Sequence, residues 1–376
     1  MESTLHTHAR HIRRRPVIAA TIAVTAVVVT AGAWLPAAGH RPSVAAPEVA
    51  PIAAAHSGAA RTRLGGDSAS HPRTEAPVFV LSRGRFTAFD APEVGSNHFP
   101  RINNRGDVVG EYIKTDLDAG AGGFWRDSRG HITEIAYPGS FETYPLDIND
   151  RQEMVGNHRV DADGPNLGFL RDRRGRFTTI KVPGATQTQA YAINDRGQIV
   201  GDYYDTSGRP HGYLWHNGRF TTIDGPDGTG ATLTEINDRG QILGVYSTEP
   251  GTLSGFLLNR GRYTTIDHPD APYTIPLGIN TRGHIVGSIF DALEGATTEA
   301  HGFLLRAGAD GPFTPIDIPG AIVGTNATGI NDHGQIVGRY GNPEPATNQP
   351  APTMTPADTA AAIATTPNTG VTPTES

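Results

Sequence analysis

One stretch, AINDRGQIVGDYY from Ala192 to Tyr204, constrains the fold more than any other because the chain keeps returning to it. The copies read RINNRGDVVGEY from Arg101, DINDRQEMVGNH from Asp147, AINDRGQIVGDY from Ala192, EINDRGQILGVY from Glu235, GINTRGHIVGSI from Gly278 and GINDHGQIVGRY from Gly329. Their asparagines, Asn103, Asn149, Asn194, Asn237, Asn280 and Asn331, are 46, 45, 43, 43 and 51 residues apart. Repeats of that period imply stacked units or propeller blades.

One full module, His211 to Tyr246, shows what is being repeated. The apolar run GYLW meets Asn217-Gly218, a two-residue hairpin signal because both positions tolerate positive φ. RFTTI, Arg219 to Ile223, alternates with the period of a strand, and Gly225, Pro226 and Gly228 break it. A third strand ends at Ile236, Asn237 to Gly240 makes a second hairpin, and QILGVY is the fourth strand. The module therefore reads as four short antiparallel strands. Six modules from about Val78 to Tyr340 predict an all-β chain, a β-propeller of about six four-stranded antiparallel blades. A β-solenoid is the alternative, but it expects shorter coils and no hairpin signal at each step. Consecutive apolar pairs such as Ile199-Val200 suit a sheet covered on both faces, and the glycine of IVG suits close approach of neighbouring sheets.

The ends differ in composition. Residues 1–36 carry a basic segment, HARHIRRRP, an apolar run from Val17 and AGA at Ala31 to Ala33, the parts of a secretory signal. Counted through Leu35, the run is also long enough for a membrane anchor. On either reading the rest of the chain is extracellular or held at the cell surface. Residues 37–76 and 342–376, rich in Ala, Pro, Ser and Thr and devoid of aromatic residues, read as a disordered linker and tail. The repeat domain is 77–341.

The modules resemble the HAF-repeat family of predicted extracellular proteins, on GF(L/W), RFTTID and GINDRGQIVG throughout the region from about Val78 to Gly341. Gly212 and Gly302 stand where the family name has Ala, and Gly122, Leu167 and Ser254 replace the His found at His211 and His301. The resemblance implies secretion and a repeat β-fold, and it implies no activity.

Residues that recur in every copy are explained by the fold, so a functional site should use those that break the period. The recurrent Asn and Asp open turns by bonding their own backbone, and one or two carboxyl oxygens are too few for calcium. The chain has no cysteine, and the histidines of the repeat array show no HxxxH or HxH spacing. No nucleophile motif, phosphate loop or dinucleotide fingerprint is present, so no cofactor is expected. A net charge of −7, with four arginines in the leader, argues against nucleic acid.

His158, Trp215, His216, Phe290 and Asp291 break the pattern and are the candidate binding surface. The irregular connection Phe290 to His301 is a place for specificity. The reading is a non-catalytic extracellular scaffold for a protein or glycan, meeting a membrane only through an uncleaved leader. The alternative is a polysaccharide hydrolase or lyase using acids such as Asp202, Asp205, Asp291, Glu294 and Glu299 at the propeller mouth. Gln152, where the other turns have Gly, should strain its turn by about 1 kcal/mol.

Overall fold

The computed structural model describes residues 78–340 apart from 90–98, 115–119, 163, 248–252, 291–299, 307, 319–320 and 322–323. The expected leader, linker and tail, and Asp291, Glu294 and Glu299, lie outside the described residues. Among the described residues there is no helix, and none long and apolar enough to cross a membrane.

The hairpin β1 (Val78–Ser82) and β2 (Arg85–Phe89) comes first. β3 (Arg101–Ile102), β4 (Val108–Ile113), β5 (Ala121–Arg126) and β6 (Ile132–Ile135) form a four-stranded sheet. An eight-stranded sheet follows, built from β7 (Glu142–Ile148), β8 (Met154–Arg159), β9 (Leu167–Arg171), β10 (Phe177–Ile180), β11 (Gln187–Ile193), β12 (Ile199–Tyr204), β13 (Pro210–His216) and β14 (Arg219–Thr222). Then come the sheet of β15 (Ala231–Ile236), β16 (Ile242–Tyr246), β17 (Ser254–Asn259) and β18 (Arg262–Ile266), and that of β19 (Tyr273–Ile279), β20 (Ile285–Phe290), β21 (Ala300–Leu305) and β22 (Phe313–Ile316). β23 (Thr325–Ile330) and β24 (Ile336–Tyr340) pair with β1 and β2 in the order β2-β1-β24-β23.

The arrangement is a β-propeller. Four blades are separate four-stranded sheets, where the sequence predicts six. The remaining eight strands are two antiparallel meanders joined at one parallel pair, Leu167 with Thr188. Burial grades across each blade: β15 and β23 are buried throughout, whereas β14 is mostly exposed. First strands therefore line the axis and fourth strands the rim.

The structure shifts the phase of the repeat. The sequence module His211 to Tyr246 spans two sheets, because β13-β14 close one and β15-β16 open the next. Both hairpins are where the sequence places them. The Gly-Pro break that seemed internal to a module is the crossover between sheets. Hairpin signals locate tight turns but do not say which of the longer connections keeps its strands paired.

The recurrent residues have structural tasks. Phe79, Phe124, Phe169, Tyr213, Phe256 and Phe303 of the third strands are fully buried. Five of them meet a fourth-strand aromatic (Phe86, Phe177, Phe220, Tyr263, Phe313) with ring centroids 5.0–5.4 Å apart and steeply inclined planes, a geometry favoured by the ring quadrupole. The glycine of IVG serves this packing rather than the approach of a neighbouring sheet. A Cβ on Gly110 would lie 2.8 Å from Phe124, and one on Gly201 would strike the carbonyl of Gln189 on its own first strand. That strand is bulged in five copies of the motif, at Leu146, Tyr191, Thr234, Leu277 and Thr328, which turns it more sharply and re-aims its side chains.

Gln152 is at φ 62°, while its counterparts Gly106, Gly197, Gly240, Gly283 and Gly334 lie at 72–81°. Gln152→Gly should therefore stabilise the chain by about 1 kcal/mol, less the contribution of the Gln152 amide to Asp107 at 3.3 Å. A thermal melt about 2 °C higher would show it; an unchanged or lower melt would mean the side-chain bond outweighs the strain.

Candidate functional site

The axis has two ends. At one, the six asparagines close a ring in which each side-chain amide donates to the next backbone carbonyl. Asn103 donates to Asn149 (3.0 Å), Asn149 to Asn194 (3.2 Å), Asn194 to Asn237 (3.0 Å), Asn237 to Asn280 (2.9 Å), Asn280 to Asn331 (3.1 Å) and Asn331 to Asn103 (2.9 Å). Each amide oxygen also receives two N–H groups of its own turn, as Asn237 does from Arg239 and Gln241. The turn chemistry follows from the sequence, whereas the donation of each amide to the next copy appears only in the structure.

The following residues make a second ring. Asp150, Asp195, Asp238 and Asp332 accept from the backbone N–H of Asn104, Asp150, Asp195 and Thr281, and Asn104 accepts from that of Asp332. Thr281 has no carboxylate and interrupts it. These rings surround a depression of about 480 Å³, open solvent included. Burial pushes Asp195 up to about 6, with Asp238 and Asp150 adding repulsion.

Arg101 lies beneath, buried. Its guanidinium donates to the carbonyls of Thr328 and, at 3.4 Å, Thr234, and Nε lies 3.5 Å from Glu235. Burial raises Glu235 well above the usual range and Asp147 to about 6, with the Arg101 charge opposing both. Farther along, Phe99, Leu146, Tyr191, Val245, Leu253, Ile275 and Leu277, drawn from different sheets, pack into one cluster. Leu146, Tyr191, Ile275 and Leu277 of this cluster lie on first strands, the strands that face the axis.

Toward the opposite end, one register position carries a different pair in every copy: Tyr144 with Asn157, Gln189 with Asp202, Thr232 with Val245, Ile275 with Ser288 and Asn326 with Arg339. Glu111 stands at the same place on β4. Around half the axis these groups satisfy one another. Asn157 accepts from the Ala190 N–H at 2.8 Å, and Asp202 accepts from Gln189 at 3.2 Å and Thr232 at 3.0 Å. Around the other half they do not. Glu111 Oε2, Ser288 Oγ, Asn326 Oδ1 and Arg339 Nε are buried without a hydrogen-bond partner. Arg339 sits 5.6 Å from the Phe99 ring centre. Nearby, Glu142 is held by Arg159. Burial pushes Glu111 up to about 8 although Arg339 attracts its charge, Glu142 adding to the rise. The same cause brings Asp202 to about 7.

These raised values fix a pH dependence. A carboxyl whose folded pKa exceeds its unfolded one contributes stability in full below the unfolded value and loses it as pH rises through the folded value. The loss thus begins near the ordinary carboxyl range, at about pH 4, and is complete by about pH 6 for Asp147 and Asp195, about pH 7 for Asp202 and about pH 8 for Glu111. Asp127, Asp172 and Asp205, held low by hydrogen bonds from their own turns, act in the opposite sense in strong acid. The melting temperature should be highest near about pH 4 and fall as the pH rises to about 8. A flat or rising profile across that range would contradict the burial of these acids.

The residues singled out from sequence are not brought together. His158 is 3% exposed, stacks on Tyr137 at 3.7 Å and shares a 2.8 Å hydrogen bond with Ser140, while its Nε2 is buried without a partner. Burial lowers its pKa. Trp215 and His216 lie at the β13–β14 hairpin, on the Asn-ring end, and Trp215 packs into a core cluster. Phe290 packs against the axial cluster and belongs to the other end. Asp202 is buried rather than a loop charge, and Asp205 caps its own turn through Ser207 and Arg209.

The histidines near the start of the third strands have a local partner. His211 meets Asp224 at 3.0 Å and His301 meets Asp317 at 3.2 Å, while Ser254, in the same place, bonds Asp267. Where the His is replaced by Gly122 or Leu167, the acid is replaced too, by Ala136 and Lys181.

No protein-family model matches the chain, and no curated protein sequence does. Solved structures do. A structure described as a TolB of Agrobacterium tumefaciens is 12% identical, with 72% of this chain and 99% of that one covered and a TM-score of 0.53. TolB from Acinetobacter baumannii is 11% identical over 72% of this chain and 65% of its own length, TM-score 0.45. An arginine mutant of AofleA from Arthrobotrys oligospora is 15% identical over 72% and 83%, TM-score 0.43. At such identities the likeness to the Agrobacterium protein shows the propeller fold alone.

Proposed function

We propose that the chain is a six-bladed propeller of the HAF-repeat kind, exported from the cytoplasm, that binds a glycan at the end of the axis opposite the asparagine ring. Six blades are supported by the six-membered ring and by the narrow seam within the eight-stranded sheet. Parallel bridges of the same kind, Leu253 with Tyr273 and Ala300 with Gly324, occur between other blades without merging them. Export is supported by the basic, apolar and small-residue leader.

The observation that carries the binding role is the set of buried, unpartnered polar atoms on Glu111, Ser288, Asn326 and Arg339, at positions that differ between copies. Unsatisfied buried groups are costly, and a polar ligand or ordered water would satisfy them. Binding of the full chain to a panel of immobilised polysaccharides, followed by titration with the soluble oligosaccharide, tests this. No binding to any of them would refute it.

The catalytic reading keeps one feature in its favour: burial pushes Glu111 up to about 8, toward what a general acid needs at neutral pH. It requires slow cleavage of a bound saccharide that Glu111→Gln abolishes while binding persists. A scaffold gives no cleavage with either protein.

A further inference from the structure

We propose that this same end of the axis receives the carboxylate of an acidic saccharide, a uronate, anchored by Arg339 with Asn326 and Ser288 beside it. The inference rests on the glycan reading and narrows it. Arginine does not give up its proton inside a protein, so Arg339 brings a permanent positive charge to a largely desolvated position. Among the described residues no carboxylate forms an ion pair with it, and Nε has no acceptor. The nearby acids do not cancel the charge. Glu142 is committed to Arg159, and burial pushes Glu111 up to about 8, toward its neutral form.

Such a charge is expensive without an anion, and a planar carboxylate answers a guanidinium with two parallel hydrogen bonds. The geometry around it is consistent. Asn326 is the direct cross-strand partner of Arg339, so the two side chains leave the same face of one sheet. Ser288 holds the corresponding position on β20 of the preceding sheet, and its hydroxyl is also free. Arg339 Nε and the Ser288 hydroxyl can donate to a carboxylate, while the unpartnered Asn326 Oδ1 can accept from a sugar hydroxyl. Phe99 lies against the guanidinium, and the half-buried Tyr144, Tyr273 and Phe290 pack onto the axial cluster close by. Aromatic faces beside a few placed polar groups suit the apolar faces of a sugar ring better than an acidic peptide.

The test is calorimetric titration of the full chain at neutral pH with an oligogalacturonate, with the same oligomer whose carboxyls have been reduced to alcohols, and with a polyglutamate peptide. The expected result is binding of the uronate, at least tenfold weaker binding of the reduced oligomer, and none of the peptide. Arg339→Lys, which keeps the charge but not the bidentate geometry, should weaken uronate binding about tenfold. Equal binding of both oligomers would overturn the anion pocket while leaving glycan binding intact. Binding of neither would remove both readings, and binding of polyglutamate as well as uronate would show a general anion site. Unchanged uronate affinity in Arg339→Lys would remove Arg339 as the anchor. Should that variant fail to fold, the wild-type comparison of the two oligomers still decides.

Discussion

A chain lacking residues 325–340 is expected to lose cooperative folding altogether. β24 holds β1 in register from Val78 with Arg339 to Leu81 with Ile336, so its removal leaves the β1–β2 hairpin with no sheet to join. An isolated two-stranded hairpin is marginal in water. The loss also opens the asparagine ring, since the Asn280 amide loses its acceptor and the Asn103 carbonyl its donor. Arg101 loses the Thr328 carbonyl, and the flanking sheets expose their faces. The shortened chain should melt without a sharp transition and aggregate through unpaired edges. A permutant with the same strands, beginning after Phe89 and carrying β1–β2 behind Tyr340 on a short linker, should fold, because every sheet is then continuous in sequence. A monomeric truncated protein with a sharp melt would show that the ring need not close.

Arg101→Ala should be the most damaging single substitution near the axis. It removes the only cation set against Glu235 and Asp147 among the described contacts and leaves the Thr234 and Thr328 carbonyls without their side-chain donor. Breaking a buried pair from one side costs about 3–5 kcal/mol, or roughly 10 °C in melting temperature for a domain of this size. The cost should shrink in mild acid. Without the guanidinium both carboxyls have still higher folded pKa values, so the variant regains stability as pH falls and they take up protons. Adding Glu235→Gln should recover part of the loss. An effect below about 1 kcal/mol would mean that water replaces the guanidinium without penalty.

The fold was legible because its signals are local and recur. Asn217-Gly218, the positive-φ glycines and the alternating aromatics each report one turn or one strand face, and repetition averages out the exceptions. The phase of the blades was hidden, because a periodic string looks the same from any starting point; only the pairing of β1 with β24 breaks that symmetry. The asparagine ring was half legible. An aspartate could accept the same turn N–H groups, but only an amide can also donate onward, and all six copies keep the amide.

The principle that function should break the period was applied to residues conspicuous by type, whereas several buried polar atoms without partners lie at other positions that differ between copies. Trp215 and His158 stand out by residue type, yet one packs and the other is enclosed. Glu111, Ser288 and Arg339 hide inside the most regular motif, one place after its glycine, and sequence does not say that this place faces the axis. What makes them conspicuous is burial without a partner, a three-dimensional property.

The blade assembled from both ends has one more consequence. β1 and β2 are made first but must wait for β23 and β24, so no shorter length of this chain can shield all its strand edges. A polypeptide released early stays open and is exposed to proteases, whereas a finished one becomes resistant in a single late step. The fold thus inspects its own completeness.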